Sequence, residues 1–315
     1  MSSDPGARKR GISDTRGGAT LEISRRAALR GIGLGVGGMS VGLLASCADD
    51  PVETAGGEAG AGGSAEGNDV VVTPGDENTW ATGGTAAMTA QASYPDPFAN
   101  AGAACALTCV LTQGPCWAPT APVRRDVSEG EPGVPLRLVL RIVEADGCSA
   151  APGAEVEIWY CNIDGFYSAD DAQSAAFCTS NDEHALSSYF FRGRAIADAD
   201  GKVTFDGCFP GWYPGRSIHI HVLVRPAANA GDTNTTNAVA VSQLFFPEDV
   251  TQQIFASVNG YVAQGQPDTS FESDGVLGAV QDITPYVVDY ERMADGAMLA
   301  WKTIAISSTD SCGGA

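Results

Sequence analysis

The sequence is short of positive charge. Its 315 residues hold 18 Lys and Arg against 38 Asp and Glu, a net charge of −20. Phosphate binding needs clustered Lys and Arg, so this balance argues against nucleic acid as a partner. It also argues against a basic patch for anionic lipid. No run of 18 or more strongly apolar residues is present, which argues against an ordinary membrane-spanning protein. Internal repeats and a glycine-rich phosphate loop are missing as well. Histidine is scarce, with only His184, His219 and His221. That count disfavours metal sites that need many imidazoles. What is present is a hydrophobic fraction of 44% with 18% charged residues. Such a composition is ordinary for a globular core, and the length allows one or two domains.

The few cations are unevenly placed. Arg8, Lys9, Arg10, Arg16, Arg25, Arg26 and Arg30 fall in the first 30 residues, and the next basic residue is Arg124. That asymmetry marks a targeting segment. Ser24-Arg25-Arg26 resembles a twin-arginine export signal. A glycine-diluted apolar stretch follows and ends in Leu44-Ala45-Ser46-Cys47, which resembles a bacterial lipoprotein cleavage box. The expectation is a signal peptide over 1–46, lipidation of Cys47, and a membrane tie made only through that anchor at the cell envelope. The plainer alternative is a soluble signal with Cys47 incidental. Residues 47–93 are rich in Gly, Ala, Glu and Asp and hold no Lys or Arg. They read as a flexible linker, because such composition buries too little surface to offset chain entropy.

Residues 94–315 read as one β-domain. Setting Cys47 aside, eight cysteines remain, and an even number in an exported chain suggests disulfides of open connectivity. A thiolate metal site at Cys105-x3-Cys109 is the weaker alternative, since no second tight pair follows. Alternating patterns predict strands over Leu136–Ile142 and Ala154–Tyr160, with further strands over Ser217–Arg225, Ala238–Phe246 and Met298–Ile306. Asp200-Gly201 signals a hairpin before Val203–Phe205. Glu248–Val258 reads as helical, and a short helix is expected near Asp170–Ala176. The fold class is therefore all-β: an antiparallel β-sandwich with few short helices, stapled by disulfides.

Ile218-His219-Ile220-His221 lies in an otherwise apolar strand. Strand side chains alternate faces, so His219 and His221 project together while Ile218, Ile220, Val222 and Val224 face the other way. Two imidazoles on one rigid face are half of a metal site. Alone, the pair reads more readily as satisfied or surface histidines.

The preceding residues change that balance. Pro210-Gly211-Trp212-Tyr213 and Arg216-Ser217-Ile218-His219-Ile220-His221 resemble the signature of the intradiol ring-cleavage dioxygenases. The second tyrosine motif of that family is matched by Trp159, Gly165, Tyr167 and Ser168. Gln113-Gly114-Pro115, the stretch from Arg125 to Leu136, and Ser242-Gln243-Leu244-Phe245-Phe246-Pro247 agree in the same order. The spacing resembles a compact, exported branch of the family. Two departures stand out: Ala195 where that branch carries Gln, and Cys116 where an aromatic is usual.

The resemblance implies a non-haem Fe(III) cofactor held by Tyr167, Tyr213, His219 and His221. Two phenolates and two imidazoles form a hard donor set suited to that ion. A tyrosine with an ordinary pKa near 10 needs a trivalent ion to stabilise its anion. Tyr213 is then expected to leave the metal and accept a proton when a catechol-type diol binds. Arg216 and Gln243 are expected to stabilise charge developing on the substrate. Gly114, Pro115 and Trp117 are expected at the substrate site. The implied reaction is attack of O2 on the ring and cleavage to a cis,cis-muconate-type diacid. The rival readings are a zinc or copper enzyme, which would recruit His184, and a non-catalytic binding module tethered at the surface.

Overall fold

The computed structural model describes residues 79–99 and 106–307. The chain divides into two units, Met1–Asn68 and Asp69–Ala315, and every described residue belongs to the second. The expected signal peptide, Cys47 and the linker up to residue 78 lie outside the described residues.

Eight strands form two four-stranded sheets. They are β1 (Pro135–Glu144), β2 (Glu155–Trp159), β3 (Arg192–Ile196), β4 (Lys202–Cys208), β5 (His219–Arg225), β6 (Ala240–Phe245), β7 (Asp289–Arg292) and β8 (Met298–Ile306). One sheet runs β4-β1-β8-β7 and the other β3-β2-β5-β6. The helices are short: α1 (Ala175–Cys178), α2 (Glu183–Ser187), α3 (Glu248–Ser257) and α4 (Tyr261–Gln264). The β-sandwich expected from the alternating patterns is the fold observed.

The alternation places the core. Leu136, Leu138, Leu140 and Ile142 of β1 meet Val156 and Ile158 of β2 and Ile220, Val222 and Val224 of β5 in one buried cluster. Removing such side chains from water is the main stabilising term, at about 1.5–3 kcal/mol each. The opposite face of the second sheet is also buried. It carries Glu155, Glu157, Arg192, Arg225, His219, His221 and Gln243, so the functional residues sit in a second, polar interior rather than on the surface.

Three details differ from the sequence expectation. The sandwich is not antiparallel throughout: β1 pairs β8 in parallel, Leu136 opposite Met298 through Glu144 opposite Ile306. The free edge of β1 is filled by the last strand running in the same direction. Asp200-Gly201 is a turn but not a hairpin, because β3 and β4 belong to different sheets. Asp198 Oδ1 accepts the N–H groups of Asp200 and Lys202, turning the chain from one sheet to the other. The linker also ends before residue 93. The stretch 79–99 lies against the sandwich: Trp80 joins the main core and donates to Gln253 Oε1 at 3.3 Å. Met88 and Phe98 pack with Val139 and Leu299. Trp80→Ala is therefore expected to lower the unfolding free energy by about 3 kcal/mol in a denaturant titration. At a flexible linker position the same change costs less than about 0.5 kcal/mol.

Full disulfide pairing is also corrected. Cys116 is bonded to Cys178, and Cys109 and Cys148 are disulfide-bonded, but Cys161 and Cys208 are buried free thiols. Both are buried inside the domain, and burial pushes each thiol up to about 12.

Candidate functional site

Strand β5 presents His219 and His221 on its polar face. His221 lies opposite Trp159 of β2 and opposite Gln243 of β6. The Trp159 indole stacks on the His221 ring, with centroids 4.8 Å apart and planes 7° off parallel. A Cβ on Gly114 would come within 3.2 Å of His221 Cε1, so the loop at Gly114 closes over that imidazole. His219 Nδ1–H donates to the Ser217 carbonyl at 2.7 Å. This bond fixes the tautomer and turns the Nε2 lone pair toward the cluster.

The two tyrosines arrive on separate loops that press together. A Cβ on Gly165 would collide with the Trp212 carbonyl, and one on Gly211 with the carbonyls of Asn162 and Ile163. Only glycines allow that approach. As a result Tyr167 and Tyr213 meet edge to face, with hydroxyl oxygens 3.2 Å apart. His219 Nε2 lies 3.0 Å from Tyr213 Oη and 3.4 Å from Tyr167 Oη. It also lies 3.2 Å from His221 Nε2. Four donor atoms thus converge on one point. The Cys116–Cys178 bridge ties the loop beyond Gly114 to this group, because the Cys178 carbonyl accepts the Tyr167 N–H at 2.9 Å. It also accounts for the departure at Cys116.

Arg216 and Gln243 stand beside the cluster. Arg216 Nη2 donates to Gln243 Oε1, and Gln243 Nε2 donates to the Thr112 carbonyl at 2.8 Å. Arg216 Nε donates to Asp274 Oδ2 at 3.0 Å. Asp274 was not marked by any sequence motif. It also accepts the N–H groups of Ser217, Val276 and Leu277 at 2.7–2.8 Å. An Asp followed by a Gly-containing turn is its only local signal, and its partners lie 57 and 58 residues away.

Burial sets the protonation of the cluster. It pushes Tyr167 well above the ordinary tyrosine value and Tyr213 up to about 12, although Arg216 pulls Tyr213 back. It pushes His219 down to about 3, with the Arg216 charge acting in the same direction, and drives His221 well below its ordinary value. Without a cation all four groups are neutral at pH 7. The unprotonated imidazoles are ready ligands, and only a strong local charge would ionise the phenols.

The residues fit a hard trivalent metal. His221 turns its Nε2 into the cluster, 3.2 Å from His219 Nε2, while its Nδ1 is buried without a hydrogen-bond partner. The nearby Cys161 stays a neutral thiol, its Sγ 3.4 Å from the Gly211 carbonyl. Among the described residues no group of three or more His, Cys, Asp or Glu could hold a metal, so the donor set depends on its tyrosines. His184 does not join. It is bonded to Glu131 at 2.6 Å and to Ser188, which removes the three-histidine zinc site.

The remaining expected residues are less central. Pro115 is exposed. Trp117 packs beside Trp159 and Tyr167, but its Nε1 donates to Glu157 Oε1 at 2.8 Å, so its polar edge is committed to the interior. Ala195 lies opposite Val156 on the core side of β3, away from the cluster.

The Asp274 carboxyl carries a pH signature. Burial raises it, but the N–H groups of Leu277, Ser217 and Val276 together with Arg216 outweigh that and hold it below 3.8. A lowered folded-state pKa gives stability that is complete above the unfolded value and is lost as pH falls through the folded one. Unfolding free energy measured between pH 5 and pH 2 is expected to fall less steeply in Asp274→Asn than in the parent.

Comparison with known proteins agrees with this geometry. A dioxygenase family model matches residues 112–255, a span that holds both tyrosines, both histidines, Arg216 and Gln243. No curated relative matches. An intradiol ring-cleavage dioxygenase from Tetranychus urticae shares the fold at 23% identity and a TM-score of 0.55, covering 66% of this chain and 98% of that one. The dioxygenase domain of a carbohydrate-binding fusion protein from Streptomyces sp. SirexAA-E aligns at 21% identity and a TM-score of 0.44, covering 64% and 99%. Hydroxyquinol 1,2-dioxygenase from Pseudomonas putida DLL-E4 aligns at 17% identity and 0.43, covering 64% and 66%. Residues 112–255 thus match a dioxygenase family model, and the domain is similar in fold to an intradiol ring-cleavage dioxygenase.

Proposed function

We propose that this protein cleaves a catechol-type diol with O2, between the two oxygen-bearing carbons, to give a cis,cis-muconate-type diacid. The observation that carries the reading is the convergence of Tyr167, Tyr213, His219 and His221 through oxygen and nitrogen tips 3.0–3.4 Å apart. These four residues would hold a non-haem Fe(III). When bound, that ion supplies the charge that ionises the phenols and draws electron density from the diol.

The protein's own groups then have distinct tasks. His219 is held in one tautomer by the Ser217 carbonyl, and His221 is fixed by stacking on Trp159, so both are rigid anchors. Tyr167 is buried and pinned through its backbone to Cys178. Tyr213 is the less enclosed tyrosine. Its phenolate is a strong base, since burial, offset in part by Arg216, pushes its pKa up to about 12. It therefore takes a proton from a diol hydroxyl at Oη. Arg216 and Gln243 are already aligned by their mutual hydrogen bond and face the developing negative charge on the ring oxygens. Turnover of catechol under labelled O2 tests this: the diacid should gain both labelled atoms. Incorporation of one atom or none, or cleavage beside the diol, contradicts it.

Export and lipid attachment at Cys47 complete the proposal and rest on the residue pattern of 1–47. Labelled fatty acid should enter the parent protein in its host and should not enter Cys47→Ala.

A further inference from the structure

We infer that Asp274 positions Arg216 and makes the pair neutral overall, so that Arg216 still donates hydrogen bonds to the diol oxygens but offers no net positive charge to a ring substituent, and that the site therefore selects diols whose ring bears no negative substituent. The inference rests on the proposed ring cleavage and names its substrate class.

Arg216 faces the cluster, and it is committed twice. Its Nε is bound to Asp274 at 3.0 Å, and its Nη2 to Gln243. The Asp274 side chain is fully buried and that of Arg216 only 16% exposed, so little water screens the pair. Asp274 is held in turn by three backbone N–H groups, including that of Ser217. One carboxylate thus holds both Arg216 and the backbone N–H of Ser217, the residue whose carbonyl orients His219.

The other arginines on this face of the sheet are also spent. Arg192 is buried and donates to the Ser168 carbonyl and hydroxyl. Arg194 reaches the Ala121 carbonyl and Glu155. Arg225 is paired with Glu155 and Glu157. The charges that act on His219 and His221 are those of Arg216, Arg192 and Asp274. Among the described residues, no arginine of this face remains unpaired to receive a carboxylate on the substrate ring. A carboxylated diol would give up its hydration with no salt bridge in return. An uncharged ring meets no such cost.

The test compares kcat/KM for catechol and for 3,4-dihydroxybenzoate in the parent, Asp274→Asn and Asp274→Glu. The parent should favour catechol by at least about tenfold. Asp274→Asn frees the Arg216 charge, so the ratio should narrow about tenfold, mainly through a lower KM for the acid. Asp274→Glu keeps the charge and should keep the parent's ratio. A merely structural residue would lower both diols in step and leave the ratio fixed, which would overturn the inference. A parent that prefers the carboxylated diol overturns it equally, and that comparison stands even where the Asn variant fails to fold. A parent that cleaves neither diol contradicts the ring-cleavage reading itself, an outcome distinct from a wrong ratio.

Discussion

His219→Ala is expected to cost the protein its metal and its activity together, each by at least about 100-fold. Outer partners of metal ligands alone are worth 10–100-fold, and His219 is at the geometric centre of the cluster. Its Nε2 lies 3.0–3.4 Å from the tips of Tyr213, His221 and Tyr167. No described side chain stands ready to replace it, because the third histidine is bound to Glu131. Iron content by elemental analysis, together with ring cleavage, reads the effect. His184→Ala is the control and should keep both. Retention of iron in His219→Ala at the parent's level would mean that the four tips are not the binding site.

Tyr213→Phe should separate binding from turnover. The ring and its edge contact with Tyr167, at a centroid distance of 5.9 Å, survive the change, and only the hydroxyl is lost. Tyr167, His219 and His221 remain to hold the metal. The base that takes the diol proton is gone, and general-base catalysis contributes about 10²–10⁴-fold. Iron is therefore expected to stay while kcat falls within that range. A kcat within about twofold of the parent would assign the proton transfer to another group.

The sequence made the strands legible where one face is buried. β1 and β2 announce themselves by alternation against a core, and β5, β6 and β8 as largely apolar runs. β3 and β7 do not, because Arg192-Gly193-Arg194-Ala195-Ile196 and Asp289-Tyr290-Glu291-Arg292 carry polar residues toward a buried ionic face or solvent. The same ionic face hid the chemistry around the cluster. Glu155, Glu157 and Arg225 read as surface charges until β2 and β5 pair. The histidines, tyrosines, Arg216 and Gln243 were legible because motif order places them together. Asp274 was not, since it acts from a loop and its partners are fixed only by tertiary folding. Trp80 was missed for a related reason. One aromatic in a Gly/Ala-rich stretch shows no period, yet it completes the core next to Tyr290. Cysteine parity failed at Cys161 and Cys208 because small buried thiols serve as core residues.

The central claim is that two tyrosines and two histidines form a ferric centre that binds diols. The most direct measurement is the visible absorption spectrum of the purified protein, before and after anaerobic catechol. Tyrosinate bound to Fe(III) gives a strong charge-transfer band, which zinc does not give. The account predicts a coloured protein whose band shifts when catechol is added. A protein that stays colourless after reconstitution with iron, or a band that ignores catechol, would contradict it.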